Sequence, residues 1–107
     1  MKWRVEALND TVRGELDALP ADMRARLIRI QLLIRQLGLE ALKEPYVKHV
    51  EGKLWEMRVK GQEGIARAIY VTALGRRVVI VRAFVKKTQQ TPRSETDLAL
   101  RRAKEFL

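Results

Sequence analysis

Nine cationic side chains recur between residues 53 and 87, within three short runs of β-branched and aromatic residues. They are Lys53, Arg58, Lys60, Arg67, Arg76, Arg77, Arg82, Lys86 and Lys87. Cations placed this densely on a small sheet attract phosphate groups and stabilise negative charge on them. The chemistry that these residues support is therefore the binding of a polyanion, or its cleavage.

Two of these arginines interrupt predicted strands whose other side chains are mostly expected to pack in the core. Alternate side chains of a strand share a face, so Arg58 falls beside Leu54 and Glu56, and Arg67 lies among apolar neighbours. Two explanations fit: an ion pair with Glu56 or Glu63, or contact with a phosphate. Alternation does not set the register between strands, and convergence of the two arginines is left open.

The third run ends in a second cationic feature, the pair Lys86 and Lys87. The polar residues TQQTPR and a predicted helix start follow directly, a setting that predicts a phosphate site at this strand end. Within the third run, alternation places Arg82 and Phe84 on one face and Ala83 on the other.

Few other residues offer chemistry. His49 is the only histidine, and the chain has no cysteine, so neither a metal site nor any cofactor is expected. Tyr70 and Phe84 suit the core, although either ring can stack on a base. The sequence lacks a Ser/His/Asp arrangement, a glycine-rich phosphate loop and a pair of carboxylates.

A site made of lysine and arginine with one proton carrier can still cleave RNA. The ribose 2′-OH supplies the nucleophile, so the protein orients it and stabilises charge on the phosphorane and the departing 5′-oxygen. DNA lacks that hydroxyl and would be inert to such a site.

Composition limits the class of protein. A chain of 107 residues with 47% hydrophobic residues predicts one domain, residues 1–107. No membrane span or signal peptide is visible, and a cytoplasmic location is expected. Residues 48–107 hold 14 Lys and Arg against 6 Asp and Glu, so nearly all of the net charge of +9 lies there. Nucleic acid is the favoured partner, and an acidic protein is the next.

The elements that must position these cations follow from periodicity. The fold class is α+β, in the order β-α-α-β-β-β-α, with helices on one side of a mostly antiparallel sheet. Asn9 or Asp10 is expected to cap the first helix, Gly38 to end the second, and Thr91 or Ser94 to cap the last. The predicted segments are a strand at 2–8, helices at 10–19 and 20–37, an irregular stretch at 39–52, a three-stranded meander at 53–87 and a terminal helix.

The strings LWEMRV, ARAIYV and VVIVRAFVKKTQQTP, followed by a short helix, resemble the phage-derived, HigB-like toxins of the RelE/ParE superfamily. The resemblance covers roughly residues 46–104. It implies a bacterial type II toxin of RelE-like fold that cleaves mRNA in the ribosomal A site without a metal. It also implies a cognate antitoxin partner, often with a helix-turn-helix domain.

The resemblance also implies roles for individual residues. By matching, Arg67 and Lys87 stabilise charge, while Arg58 and Lys86 position phosphates. Many members carry a tyrosine or histidine near the C-terminus as proton carrier; here the candidates are Tyr70, His49 or a lysine. The further cations expected to bind RNA are Lys53, Lys60, Arg82 and Arg93.

Two alternatives stay open. The same fold can serve a ParE-like gyrase poison, which damages DNA and leaves transcripts unbroken. A non-catalytic module that binds RNA or the ribosome would show a steep salt dependence and leave RNA intact.

Overall fold

A five-stranded sheet with three helices is formed in the computed structural model, which describes residues 2–106. The α+β class, the mostly antiparallel sheet and the order of the predicted elements are confirmed. The elements are β1 (Arg4–Ala7), α1 (Asp10–Asp17), α2 (Ala21–Leu37), a 3₁₀ turn (Leu39–Ala41), β2 (Val47–Glu51), β3 (Leu54–Gly61), β4 (Gly64–Ala73), β5 (Arg77–Lys86) and α3 (Arg93–Phe106).

The strands lie in the order β1-β5-β4-β3-β2. The meander of β3, β4 and β5 is antiparallel and has the expected turns, while β1 pairs in parallel with β5 at one edge. The opposite edge is β2, an addition to the predicted order, because residues 47–51 form a strand where an irregular stretch was expected.

Local signals explain where the helices begin and end. The Asn9 side chain accepts a hydrogen bond from the Val12 N–H at 3.0 Å, as the capping prediction required. Gly38 follows the last turn of α2 with a φ of 90°, a conformation that favours glycine. Within residues 2–106, none of the helices combines the length and apolar character that a membrane span requires.

The sheet has a packed core on each face. Helices α1 and α2 cover one face, where Met23, Ile34 and Met57 are fully buried. Helix α3 covers the other face, where Ala99 packs with Ile69 and neighbouring apolar residues. The expectation of helices on one side is therefore wrong for α3, because both faces of β4 and β5 are apolar and each needs a cover.

A β-bulge in β5 changes which of its side chains share a face. Tyr70 pairs with Ile80, but Ile69 pairs with Arg82, so Val81 is the extra residue. The expected alternation fails beyond this point, because the bulge moves Arg82 and every later residue to the other face. This shift brings Phe84 and Lys86 onto the face covered by α3.

Candidate functional site

Two adjoining clefts, of about 390 and 440 Å³, open along β2 and β3; the start of α3 lines the first, and Arg26 of α2 lines the second. They share Lys48, Arg58 and Gln89, and we refer to them together as the basic cleft. Its cationic lining residues are Arg26, Lys48, Arg58, Lys60 and Arg93.

The sheet register brings the two strand arginines together. Arg58 on β3 lies directly opposite Arg67 on β4, and Arg67 lies opposite Phe84 on β5. Cross-strand partners share a face and are close neighbours. The convergence that alternation left open is therefore present on the α3 face.

Glu56 neutralises part of this charge. Its Oε2 lies 3.1 Å from Arg58 Nε and 3.7 Å from Arg67 Nε, while its Oε1 accepts a hydrogen bond from the Thr91 hydroxyl. Thr91 therefore serves this network instead of capping α3, which begins at Arg93 and includes Ser94 within its first turn. The ion-pair explanation of the two arginines is correct for Glu56.

Both arginines also hold the loop of residues 87–92 against the sheet. Arg58 Nη2 donates to the Gln89 carbonyl at 2.7 Å, and Arg67 Nη2 donates to the carbonyls of Gln89, at 2.9 Å, and Thr88. The loop thus forms one wall of the basic cleft through contacts with side chains that rise from the sheet.

The two guanidinium groups differ sharply in exposure. The Arg67 side chain is 0% exposed, whereas that of Arg58 is 13% exposed and lines both clefts. Burial lowers the pKa of Arg67, the charge of Glu56 opposes that shift, and the charge of Arg58 adds to it. Arg67 Nε and Nη1 are buried without a hydrogen-bond partner. Arg67 therefore lies beneath the loop, and Arg58 is the arginine that an incoming molecule meets.

Two lysines extend the basic surface beyond Arg58. Lys60, Ile65 and Lys86 form the next row across β3, β4 and β5, so both lysines share the face of Arg58 and both are exposed. Gly64 begins β4 with a φ of 131°, and a Cβ there would lie 2.9 Å from the Lys86 carbonyl oxygen. Only glycine fits this turn, which keeps the lysine-bearing end of β5 close to β4.

Three further predicted cations lie at or beyond the rim. Arg93 borders the cleft at the start of α3 and forms ion pairs with Glu51 and Asp97. Lys87 follows β5 and is exposed, and Lys53 lies in the turn before β3, beside a separate groove against α3. Arg93 therefore lines the same cleft as Arg58, whereas Lys53 lies at a separate groove.

Arg82 belongs to an ion-pair network that joins three elements. It contacts Glu15 of α1 at 3.0 Å and Glu95 of α3 at 2.7 Å, and Arg102 of α3 also pairs with Glu15. The hydrogen bond with Glu95, more than any other contact, raises the pKa of Arg82. Its donors are engaged within the fold and do not face the basic cleft.

Of the candidate proton carriers, Tyr70 lies outside the basic cleft, whereas His49 lines the 390 Å³ cleft beside Lys48. Tyr70 is 1% exposed in the core beneath α2, on the opposite face from Arg67, and burial raises its pKa. His49 lies opposite Trp55, against whose ring its imidazole packs at 4.9 Å, and its Nε2 contacts the Gly52 carbonyl. In the part of the chain described, no three His, Cys, Asp or Glu side chains form a group that could hold a metal ion.

Tyr46, Lys48 and Gln89 line the cleft but were missed by the sequence interpretation. Tyr46 and Lys48 belong to the segment expected to be irregular. The string VKHVE offers two β-branched valines as its strand signal, but they are three residues apart and do not alternate. Gln89 carries no comparable signal, because its position depends on the two arginines beneath it.

The fold and the cationic cleft define this chain as a small α+β protein of RelE-like fold. A chain in the crystal structure of the archaeal RelE–RelB complex from Pyrococcus horikoshii OT3 superimposes with a TM-score of 0.58. The two are 19% identical, and the match covers 83% of this chain and 99% of that chain. No curated protein sequence matches this chain.

A family model described as phage derived protein Gp49-like (DUF891) matches residues 14–104. The chain therefore belongs to the Gp49-like family of phage-derived proteins. This confirms the phage-derived family expected from the LWEMRV and KKTQQTP strings, while the HigB-like assignment within it stays a prediction.

Proposed function

We propose that this chain is the toxin of a type II toxin–antitoxin system and cleaves mRNA on the ribosome. The observation that carries the proposal is the basic cleft, into which the partly exposed Arg58 extends from a sheet of RelE-like fold. A wall held by hydrogen bonds from Arg58 and Arg67 gives such a site the rigidity that stabilisation of a transition state requires.

The reaction follows from what the cleft can do without a metal. The 2′-OH of one nucleotide attacks the adjacent phosphorus, the bond to the 5′-oxygen breaks, and a 2′,3′-cyclic phosphate remains. Arg58 uses Nε for Glu56 and Nη2 for Gln89, which leaves Nη1 for a phosphate oxygen among the described contacts. We assign charge stabilisation to Arg58 and the positioning of Arg58 to Arg67.

The surrounding cations would hold the flanking phosphates. Lys60 and Lys86 extend the same face toward one end of the cleft, while Lys48 and Arg93 border the other end. Lys87, just beyond β5, would contribute to attraction over a longer range. This arrangement suits a single strand that crosses β2 and β3.

We also infer a protein partner. The Pyrococcus structure is a RelE–RelB complex, and an analogous antitoxin would bind this chain to form a hetero-oligomer. A cationic cleft favours an antitoxin segment that carries acidic side chains. The family resemblance implies that this antitoxin has a helix-turn-helix domain.

The test is cleavage of mRNA by the purified chain on programmed ribosomes, with the ends mapped. We expect cuts at a fixed position within the codon that leave 2′,3′-cyclic phosphates. Arg58→Gln should slow cleavage by about 100-fold or more, the usual effect of losing one such donor. Arg101→Gln is the matched control, because this arginine is exposed on α3, outside the cleft.

Two results would contradict the proposal. Trapped gyrase–DNA complexes with unbroken transcripts would indicate the ParE-like alternative. Binding to ribosomes that weakens steeply with salt, with mRNA left intact, would indicate a binding module without catalysis.

A further inference from the structure

The proposed cleavage needs a proton for the departing 5′-oxygen, and the cleft offers few groups that can supply one. Glu56 is 1% exposed and is engaged by Arg58, Arg67 and Thr91. Tyr70 is buried on the other face of the sheet. His49 lines the 390 Å³ cleft, but its ring packs against Trp55 and its Nε2 is engaged by the Gly52 carbonyl. A proton donor is therefore sought among the other exposed residues that line the cleft with Arg58.

Tyr46 lies in the turn immediately before β2 and lines the same cleft as Arg58. The Arg58 N–H donates to the Tyr46 carbonyl at 2.9 Å, and the next pair along the strands is Val47 with Met57. Tyr46 is thus joined to Arg58 by a backbone hydrogen bond, and both residues line the 440 Å³ cleft. Arg58, Arg67 and Phe84 form one row across β3, β4 and β5, and Tyr46 adjoins Arg58 at the β3 end of that row.

The phenol of Tyr46 is also accessible. The residue is 52% exposed and lines the 440 Å³ cleft together with Lys48, Arg58 and Lys60. A phenol carries its proton at neutral pH and can donate it.

We propose that Tyr46 is the general acid of the reaction, an inference that rests on the function proposed above. As the 2′-oxygen bonds to phosphorus and the bond from phosphorus to the 5′-oxygen breaks, the phenol transfers its proton to that 5′-oxygen. The proton of the 2′-OH passes to water, and solvent later restores the proton of Tyr46. Arg58 stabilises the phosphorane while the neighbouring phenol protonates the leaving group.

Single-turnover cleavage on programmed ribosomes tests this role with Tyr46→Phe, which removes only the hydroxyl. We expect a loss of roughly 10²–10⁴-fold in rate, with unchanged melting temperature and ribosome affinity. A substrate with sulfur in place of the 5′-oxygen has a leaving group that needs no proton. On that substrate Tyr46→Phe should cleave as fast as the wild type.

The outcomes separate the two proposals. Wild-type rates for Tyr46→Phe with a slow Tyr46→Ala would show that the ring only stacks on a base, and a persisting defect on the sulfur substrate would also overturn the acid role. No cleavage by the wild type overturns the proposed function, and the role of Tyr46 falls with it.

Discussion

Arg58 and Arg67 are identical side chains on opposite positions of two strands, yet their surroundings give them different tasks. Arg58 reaches the cleft, while Arg67 is sealed beneath the Thr88 and Gln89 carbonyls and lies 5.9 Å from the Phe84 ring centre. A buried cation is tolerated only when nearby acceptors compensate for the loss of water. The position of the loop therefore depends on Arg67.

Arg67→Ala should lower the free energy of unfolding by about 3 kcal/mol, because it leaves the Thr88 carbonyl without its donor, the Gln89 carbonyl with only that of Arg58, and Glu56 with one cation fewer. Arg58→Ala should cost about 1 kcal/mol, since that side chain is partly solvated. Urea unfolding of both variants measures the difference. If Arg67→Ala unfolds like the wild type but cannot cleave RNA, Arg67 acts on the substrate directly and our assignment is wrong.

Sequence alone could predict these residues but not their environment. Alternation correctly put Arg58 on the face of Glu56. Tyr70 and Arg67 are separated by an odd number of residues, so alternation also predicts that they lie on opposite faces. The exposure of each arginine depends on the loop that covers one of them, and that loop is positioned by long-range hydrogen bonds. Such contacts leave no periodic signal in the chain.

At the scale of elements, the sequence predicted the helices and the meander because both have strong periodicity and clear turns. It missed β2 because Val47 and Val50 are three residues apart and give no alternation. It missed the bulge at Val81 because a bulge changes pairing and leaves composition unaltered. Strand β2 forms one wall of the cleft, and the bulge places Lys86 on the α3 face of the sheet. The errors thus fell where the candidate site is built.

The ion-pair network of Glu15 joins α1, β5 and α3 and should make stability depend on pH. Burial raises the pKa of Glu15, but hydrogen bonds from Arg102 and the Ala83 N–H, together with the charges of Arg82 and Arg102, lower it overall from 4.5. The folded state therefore holds this proton less tightly than the unfolded state does. The resulting stabilisation is complete above pH 4.5 and is lost as pH falls through the folded pKa.

Glu15→Gln should lower the free energy of unfolding at pH 7 by about 1–3 kcal/mol, because charged hydrogen bonds are lost. Its difference from the wild type should shrink as the pH is lowered below 4.5. Denaturant unfolding across this range measures both effects, with Glu105→Gln on the exposed side of α3 as control. Parallel pH profiles for the wild type and Glu15→Gln would show that this network does not link α1 to the sheet energetically.

For the whole molecule, the distribution of charge matters more than its total. The chain carries a net charge of +9, but Arg82 and Arg102 are paired with carboxylates inside the fold. Lys60 and Lys86 instead face solvent in one row on the α3 side of the sheet. Binding of a nucleic acid should therefore depend on which cations are removed, and less on how many.

Salt titration of binding to ribosomes or single-stranded RNA measures this directly. Each phosphate contact with single-stranded RNA contributes about −0.7 to the slope of log K against log salt. The double variant Lys60→Ala/Lys86→Ala should make that slope shallower by about 1.4. Arg13→Ala/Arg29→Ala removes the same charge from the exposed surface of α1 and α2 and should leave the slope unchanged. Equal changes for both pairs would mean that RNA is attracted by the overall charge and is not bound along the basic cleft.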